Sequence, residues 1–148
     1  MKRISRKNGP VVSKKIIYDG ITFASGLEKY MYMALKKANL DFDYEGRTFE
    51  LVPSFTFNNE CFERQSNGKG DFINRGCKKV LNLKYTPDFL GIDFIIETKG
   101  RANDSFPLRW KLFKEWMMDN NDDRTLYKPQ CNRECDVTIE LILKNRNK

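Results

Sequence analysis

Histidine is missing altogether from this 148-residue chain, and that absence excludes more chemistry than any other feature of the composition. A Ser-His-Asp triad, a His-ligated zinc hydrolase and a histidine general base are all ruled out. Proton transfer has to run through carboxylates, lysine, tyrosine or metal-activated water. Long apolar runs are missing as well: no stretch approaches the roughly 20 residues of a membrane-crossing helix, so no membrane is expected among its partners. Met1 to Lys7 carries charge with no apolar core behind it, unlike a secretory signal, and a cytoplasmic location is the expectation. The four cysteines (Cys61, Cys77, Cys131, Cys135) lack the paired short knuckles of a zinc ribbon. Reduced, packed thiols are expected there, with a four-thiolate zinc site as the alternative. No internal repeat is present.

What the chain does have is positive charge and aromatic rings. Net charge is +7, and it is unevenly spread. Lys2, Arg3, Arg6, Lys7, Lys14 and Lys15 precede the first acid, Asp19, and the chain closes on Lys144-Asn145-Arg146-Asn147-Lys148. Lysine and arginine release counterions from phosphates, so a polyanion partner is one reading and a solvated tail the other. A hydrophobic fraction of 40% with 13% aromatics provides for one sizeable core, hence a single domain at this length.

Along the chain, residues 1–15 read as a flexible basic arm and 16–148 as one domain. Ile16 to Tyr18 and Ile21 to Phe23 flank Asp19-Gly20, a hairpin signal. Ser25 opens a helix through about Ala38, with Leu27, Tyr30, Met31, Ala34, Leu35 and Ala38 at buried-stripe spacing. Phe42 to Phe57 reads as one or two strands interrupted at Pro53. Asn58 to Lys79 is polar and glycine-containing, an inserted loop or hairpin. Leu81 to Leu90 and Ile92 to Thr98 form a central hairpin. Ser105 and Pro107 start a second helix with Leu108, Leu112, Phe113, Trp116 and Met117 on its apolar side. Val137 to Leu143 alternates as a last strand. The order of elements predicts an α/β (mixed α+β) fold, a mixed central sheet flanked by helices.

The chemistry gathers between Tyr85 and Gly100, which read Tyr85-Thr86-Pro87-Asp88-Phe89, a glycine turn, and Ile95-Ile96-Glu97-Thr98-Lys99-Gly100. Strand side chains alternate with period two, so Glu97 and Lys99 share a face. With a two-residue turn at Gly91-Ile92, Asp88 pairs with Ile95 and lies diagonal to Glu97 on that same face, roughly 7–8 Å away. An odd-length turn without a bulge would send Asp88 to the wrong side. Asp88 and Glu97, with the Thr98 carbonyl, then suit Mg²⁺, while Lys99 orients water or stabilises developing charge. A surface hairpin bearing a solvated Glu97–Lys99 pair is the competing reading, against which stand the apolar Phe94, Ile95 and Ile96. Glu28 closes a Ser25-x-x-Glu28 capping box, which explains it without a metal. Glu45 and Glu50 lie on strands from which they too can reach a site.

Ser25-Gly26-Leu27-Glu28, Tyr85-Thr86-Pro87-Asp88-Phe89-Leu90 and Ile96-Glu97-Thr98-Lys99-Gly100 together resemble the phage endonuclease I family, Holliday-junction resolvases of the PD-(D/E)XK nuclease superfamily. The resemblance runs from about Phe23 to Gly100 and more loosely through the basic helix beyond; the 58–79 segment is longer than its counterpart in that family. It implies a restriction-endonuclease-like core in an intertwined homodimer, with Glu28, Asp88, Glu97 and Lys99 in the catalytic positions. It further implies one or two Mg²⁺ ions per site, replaceable by Mn²⁺, and four-way or other branched DNA as substrate in phage replication or recombination, in the host cytoplasm. Candidate phosphate contacts are the basic arm, Lys69, Lys78 and Lys79 in the insertion, and Arg101, Arg109, Lys111 and Lys114 around the second helix. The alternatives are another endonuclease of that superfamily, of restriction or transposon-end-cutting type, and a catalytically silent nucleic-acid-binding module.

Overall fold

The computed structural model of the chain describes residues 15–100 and 105–148. In chain order its elements are β1 (Ile16–Tyr18), β2 (Ile21–Phe23), α1 (Gly26–Lys37), β3 (Asp43–Tyr44), β4 (Phe49–Val52), β5 (Phe55–Phe57), β6 (Phe62–Glu63) and β7 (Ile73–Asn74). There follow β8 (Lys78–Val80), β9 (Leu83–Tyr85), β10 (Phe89–Leu90), β11 (Phe94–Ile96), α2 (Phe106–Asp119), β12 (Thr125–Tyr127) and α3 (Asn132–Arg146). The described residues make a mixed α+β architecture of three helices and several small sheets. Its described residues gather into two compact units, one of 15–44, 88–100 and 124–148, the other of 45–87 and 105–123.

In the first unit, Asp19 and Gly20 both take positive φ (55° and 74°) and turn the β1–β2 hairpin. The Ser25 side chain then caps α1 by accepting from the Glu28 N–H at 3.2 Å. Lys36 and Lys37 occupy the last turn, where cations suit the helix dipole, and Asn39 leaves the helix at φ 55°. A four-stranded sheet runs β12-β11-β10-β3, with β11–β12 parallel and the other neighbours antiparallel. Phe23, Met31, Leu35, Phe89, Phe94, Ile96, Cys135 and Ile142 form its core.

Two sequence expectations fail in this unit. Val137 to Leu143 is not a strand but the middle of α3. Cys135, Thr138 and Ile142 are the buried positions, at helical spacing, while Val137, Leu141 and Leu143 stay exposed. The period-two pattern came from apolar residues that the fold leaves outside. The closing strand is instead β12, whose three residues offered too short a pattern to read. The hairpin turn also moves by one residue. Gly91 N–H donates to the Phe94 carbonyl at 2.9 Å, so Ile92 and Asp93 are the central pair, not Gly91 and Ile92. Asp93 is drawn there by a two-pronged bond from Arg146 (2.6 and 2.8 Å).

The second unit is a long antiparallel ribbon with α2 against its base. β4 pairs β9, β5 pairs β8 and β6 pairs β7, with a register shift between Glu50 and Val52. Pro53 interrupts the outgoing strand as expected, whereas the anticipated single strand from Leu81 to Leu90 is broken at Pro87 into β9 and β10. Within the 58–79 segment, β6 and β7 pair, so the insertion is a hairpin. Its core is aromatic: Phe49 meets Phe113 and Trp116, and Tyr85 meets Phe113 and Trp110. The buried stripe of α2 is Phe106, Trp110, Phe113 and Met117 rather than one through Leu108, which is exposed.

Gly91 fixes the turn because a Cβ there would run into the buried Phe94 ring. Gly91→Ala is expected to destabilise the protein by about 1–3 kcal/mol, the usual cost of overpacking, read from the urea unfolding midpoint. The conservative Ile92→Ala, at a position 89% exposed, serves as the neutral control.

Candidate metal centre

The revised turn changes how the acids meet. Phe89 pairs Ile96 and Leu90 pairs Ile95, so the same register carried one residue further sets Asp88 directly opposite Glu97. The shift from the expected register is two residues, an even number, and both acids therefore keep the same face. Glu97 N–H points away from Asp88, donating to the Tyr127 carbonyl at 3.0 Å. Opposed residues whose N–H groups point outward form the closer kind of antiparallel pair, with side chains nearest. Two carboxylates are thus held face to face by the backbone.

Lys99 N–H donates to the Pro129 carbonyl at 3.0 Å. Donors at 97 and 99 meeting acceptors at 127 and 129 keep the chain extended past β11, so Lys99 stays on the face of Glu97. Thr98 lies between them and turns both its N–H and its hydroxyl onto Asp88 Oδ2, at 2.8 and 2.6 Å. Asp88 is oriented by that clamp through a single carboxylate oxygen.

Glu28 joins from the first turn of α1. Only half of the expected capping box forms: Ser25 Oγ accepts from the Glu28 N–H, while the Glu28 carboxylate accepts from the Ala24 N–H (3.3 Å) rather than that of Ser25, and also from Tyr44 Oη at 2.7 Å, both on Oε2. One carboxylate oxygen each of Glu28 and Asp88 lie within 4.8 Å of one another. Glu28, Asp88 and Glu97 are only 8, 8 and 7% exposed. Burial first, then repulsion by Glu97 and by Glu28, pushes the Asp88 carboxyl up to about 8, against the Thr98 hydrogen bonds, which pull it down. Close, desolvated like charges resist joint ionisation.

The donor set is all oxygen, which fits a hard divalent ion such as Mg²⁺ or Mn²⁺. Ligand oxygens bonded at about 2.0–2.1 Å to one ion sit up to about 4 Å apart, so the Glu28–Asp88 separation closes with small side-chain adjustment. Cysteine offers nothing comparable. Among the four, only Cys135 is buried, with its thiol pushed up to about 12 mainly by desolvation; Cys77 and Cys131 are exposed rather than packed. Glu50, another acid weighed from sequence, is taken up by Asn82 across the ribbon at 2.7 Å.

The candidate phosphate contacts are not gathered so clearly. Lys15, Lys69, Lys78, Lys79, Lys111 and Lys114 are exposed, and Arg109 is half-buried. Lys2, Arg3, Arg6, Lys7, Lys14 and Arg101 lie outside the described residues. Sequence reasoning missed Tyr44 and the Thr98 hydroxyl as positioning groups. Tyr44 lies 16 residues from Glu28 and gave no local signal. Thr98 sat in plain view, next to the key glutamate.

Fold and site together define a mixed α+β protein with a buried, histidine-free acidic centre on a sheet hairpin. Residues 11–128 match the model of DUF1064, described as a protein of unknown function, and the chain belongs to that family. No curated protein and no solved structure matches it. Among the described residues no helix is long and apolar enough to cross a membrane.

Asp88 supplies a pH signature. Its raised value means the folded, metal-free protein keeps a proton that the unfolded chain releases near 3.8. That contribution to stability is fully present below about 4 and is lost as pH climbs through about 8. Asp88→Asn is therefore expected to melt higher than wild type at pH 8 in EDTA. The gap should close toward pH 4, and added Mg²⁺ should stabilise wild type alone, all read by differential scanning fluorimetry.

Proposed function

We propose that this protein is a Mg²⁺-dependent, structure-selective DNA endonuclease that resolves four-way junctions and other branched DNA by phosphodiester hydrolysis. The observation that carries the reading is the convergence of buried Glu28, Asp88 and Glu97 with Lys99 on the Glu97 face. Resemblance of the same residues to the phage endonuclease I motifs supports the choice of substrate, and net charge +7 suits a polyanion.

Asp88, Glu97 and Glu28, with the Thr98 carbonyl, would hold the cation. Bound there, it supplies Lewis-acid polarisation of the scissile phosphate and neutralisation of charge on the oxyanion. Thr98 fixes Asp88, and Tyr44 with the Ala24 N–H fixes Glu28, so the cluster is preorganised before substrate arrives. Lys99 orients the attacking water and offsets charge on the phosphorane-like transition state. The new bond joins water oxygen to phosphorus while the water's proton passes to solvent, and the P–O bond to the leaving deoxyribose breaks as its oxygen takes up a proton from solvent. Symmetric incision of a junction calls for two linked sites, so the working form is a homodimer.

Glu97→Ala and Lys99→Ala should each lower cleavage by at least about 100-fold, the range typical of a lost electrostatic or acid–base group, while junction binding in Ca²⁺ survives. A labelled four-way junction incubated with and without Mg²⁺ provides the assay, with cuts mapped on both strands. Unchanged turnover in either variant defeats the assignment; equal cutting of linear duplex points to a restriction-type enzyme instead. Tyr44→Phe is expected to weaken Mg²⁺ dependence (a higher half-saturating concentration) more than it lowers the maximal rate.

A further inference from the structure

The outer part of the ribbon has no core of its own. Every residue from Pro53 to Glu60 and from Cys77 to Leu81 is exposed. A lone two-stranded hairpin is marginal in water, and this one shows phenylalanines to solvent, Phe55 at 49% and Phe57 at 37% exposure. Its register pairs Phe55 with Val80, Thr56 with Lys79 and Phe57 with Lys78. Directly opposed residues share a face, and alternate residues along a strand do too. One face therefore presents Phe55, Phe57, Lys78 and Val80 together, and Lys79 stands on the other. Neither Pro53–Asn59 nor Gly76–Leu81 contains an acid.

Aromatic rings interleaved with ammonium groups, on paired strands that themselves carry no acid, match the chemistry of a nucleic-acid strand with unpaired bases: rings take the base faces and cations take the phosphates. A second copy of the chain fits less well. A two-fold interface is self-complementary and would set the lysine-bearing face against itself. We propose that the β5–β8 face is a stacking platform for unpaired bases of DNA, with Lys78 and Lys79 on the flanking phosphates. This rests on the reading of the protein as a DNA enzyme and names what the ribbon recognises: strands opened at a branch point. Gly76 supports the platform, since a Cβ there would strike the Asn59 carbonyl, holding the two strands in close approach just beyond Lys78.

Binding is measured in EDTA, so that cleavage plays no part. Fluorescence anisotropy is recorded with a four-way junction, an oligothymidine single strand and a blunt duplex, using the full chain and the variants F55A/F57A and K78A/K79A. Circular dichroism and melting temperature check folding; the substituted side chains are exposed. The phenylalanine variant should bind junction and single strand at least about tenfold more weakly and leave the blunt duplex unchanged. The lysine variant should lower the slope of log K against log salt on single strand by about 1.4, two phosphate contacts at about 0.7 each. 2-Aminopurine at the branch should lose its quenching in F55A/F57A. Wild-type affinity in both variants overturns the platform, whatever the enzyme cuts. Unchanged DNA binding with a dimer lost on light scattering assigns the face to a second copy and overturns it too. Weakened binding in the variants, with no Mg²⁺-dependent cleavage by wild type, upholds the platform and sinks the nuclease.

Discussion

Asp88 and Glu97 face each other across a two-strand hairpin, and much of the first unit is organised to keep them there. The backbone enforces the arrangement. Gly91 lets the chain turn against the Phe94 ring, Ile92 and Asp93 complete the turn, and the register of β10 and β11 follows. Parallel pairing of the extended chain with β12 holds Glu97 and Lys99 in place from the other side. Two desolvated carboxylates so opposed repel one another, and Glu28 adds to the strain. Burying three acids so close together carries an electrostatic cost, and the raised Asp88 carboxyl is its expression.

Local interactions around that centre serve two ends at once. Glu28 belongs to a helix cap and to the acid cluster, and these uses do not compete, because the cap and Tyr44 both occupy Oε2. Thr98 similarly spends backbone and side-chain donors on a single oxygen of Asp88. In each case the anchoring hydrogen bonds converge on one carboxylate oxygen.

The second unit follows a different logic. Its base is well packed, with Phe49, Tyr85, Trp110, Phe113 and Trp116 in contact and Arg47 stacked 4.5 Å over Phe49. Beyond Pro53 the packing stops while the strands continue. Exposed phenylalanines on a ribbon without a core have no folding rationale, and the surface they make is intelligible as a contact for something outside the chain.

The acids, the lysine and their shared face were legible in the sequence because strand alternation is local: it needs only the parity of the spacing between residues. Parity also protected the prediction when the turn moved by one residue and the register by two. The Ser25 cap and the Pro53 break were legible for the same local reason. The α3 helix was misread because Val137, Leu141 and Leu143 are apolar yet exposed, and no local rule says which apolar residues the fold will cover. Membership of Glu28 in the acid cluster, the Tyr44 hydroxyl and the Thr98 clamp depend on segments distant in the chain being brought within a few ångströms. Only tertiary packing sets those distances, and with them the electrostatic repulsion that raises the Asp88 carboxyl. The sequence determined which groups were available and which way they faced; the fold decided which of them meet.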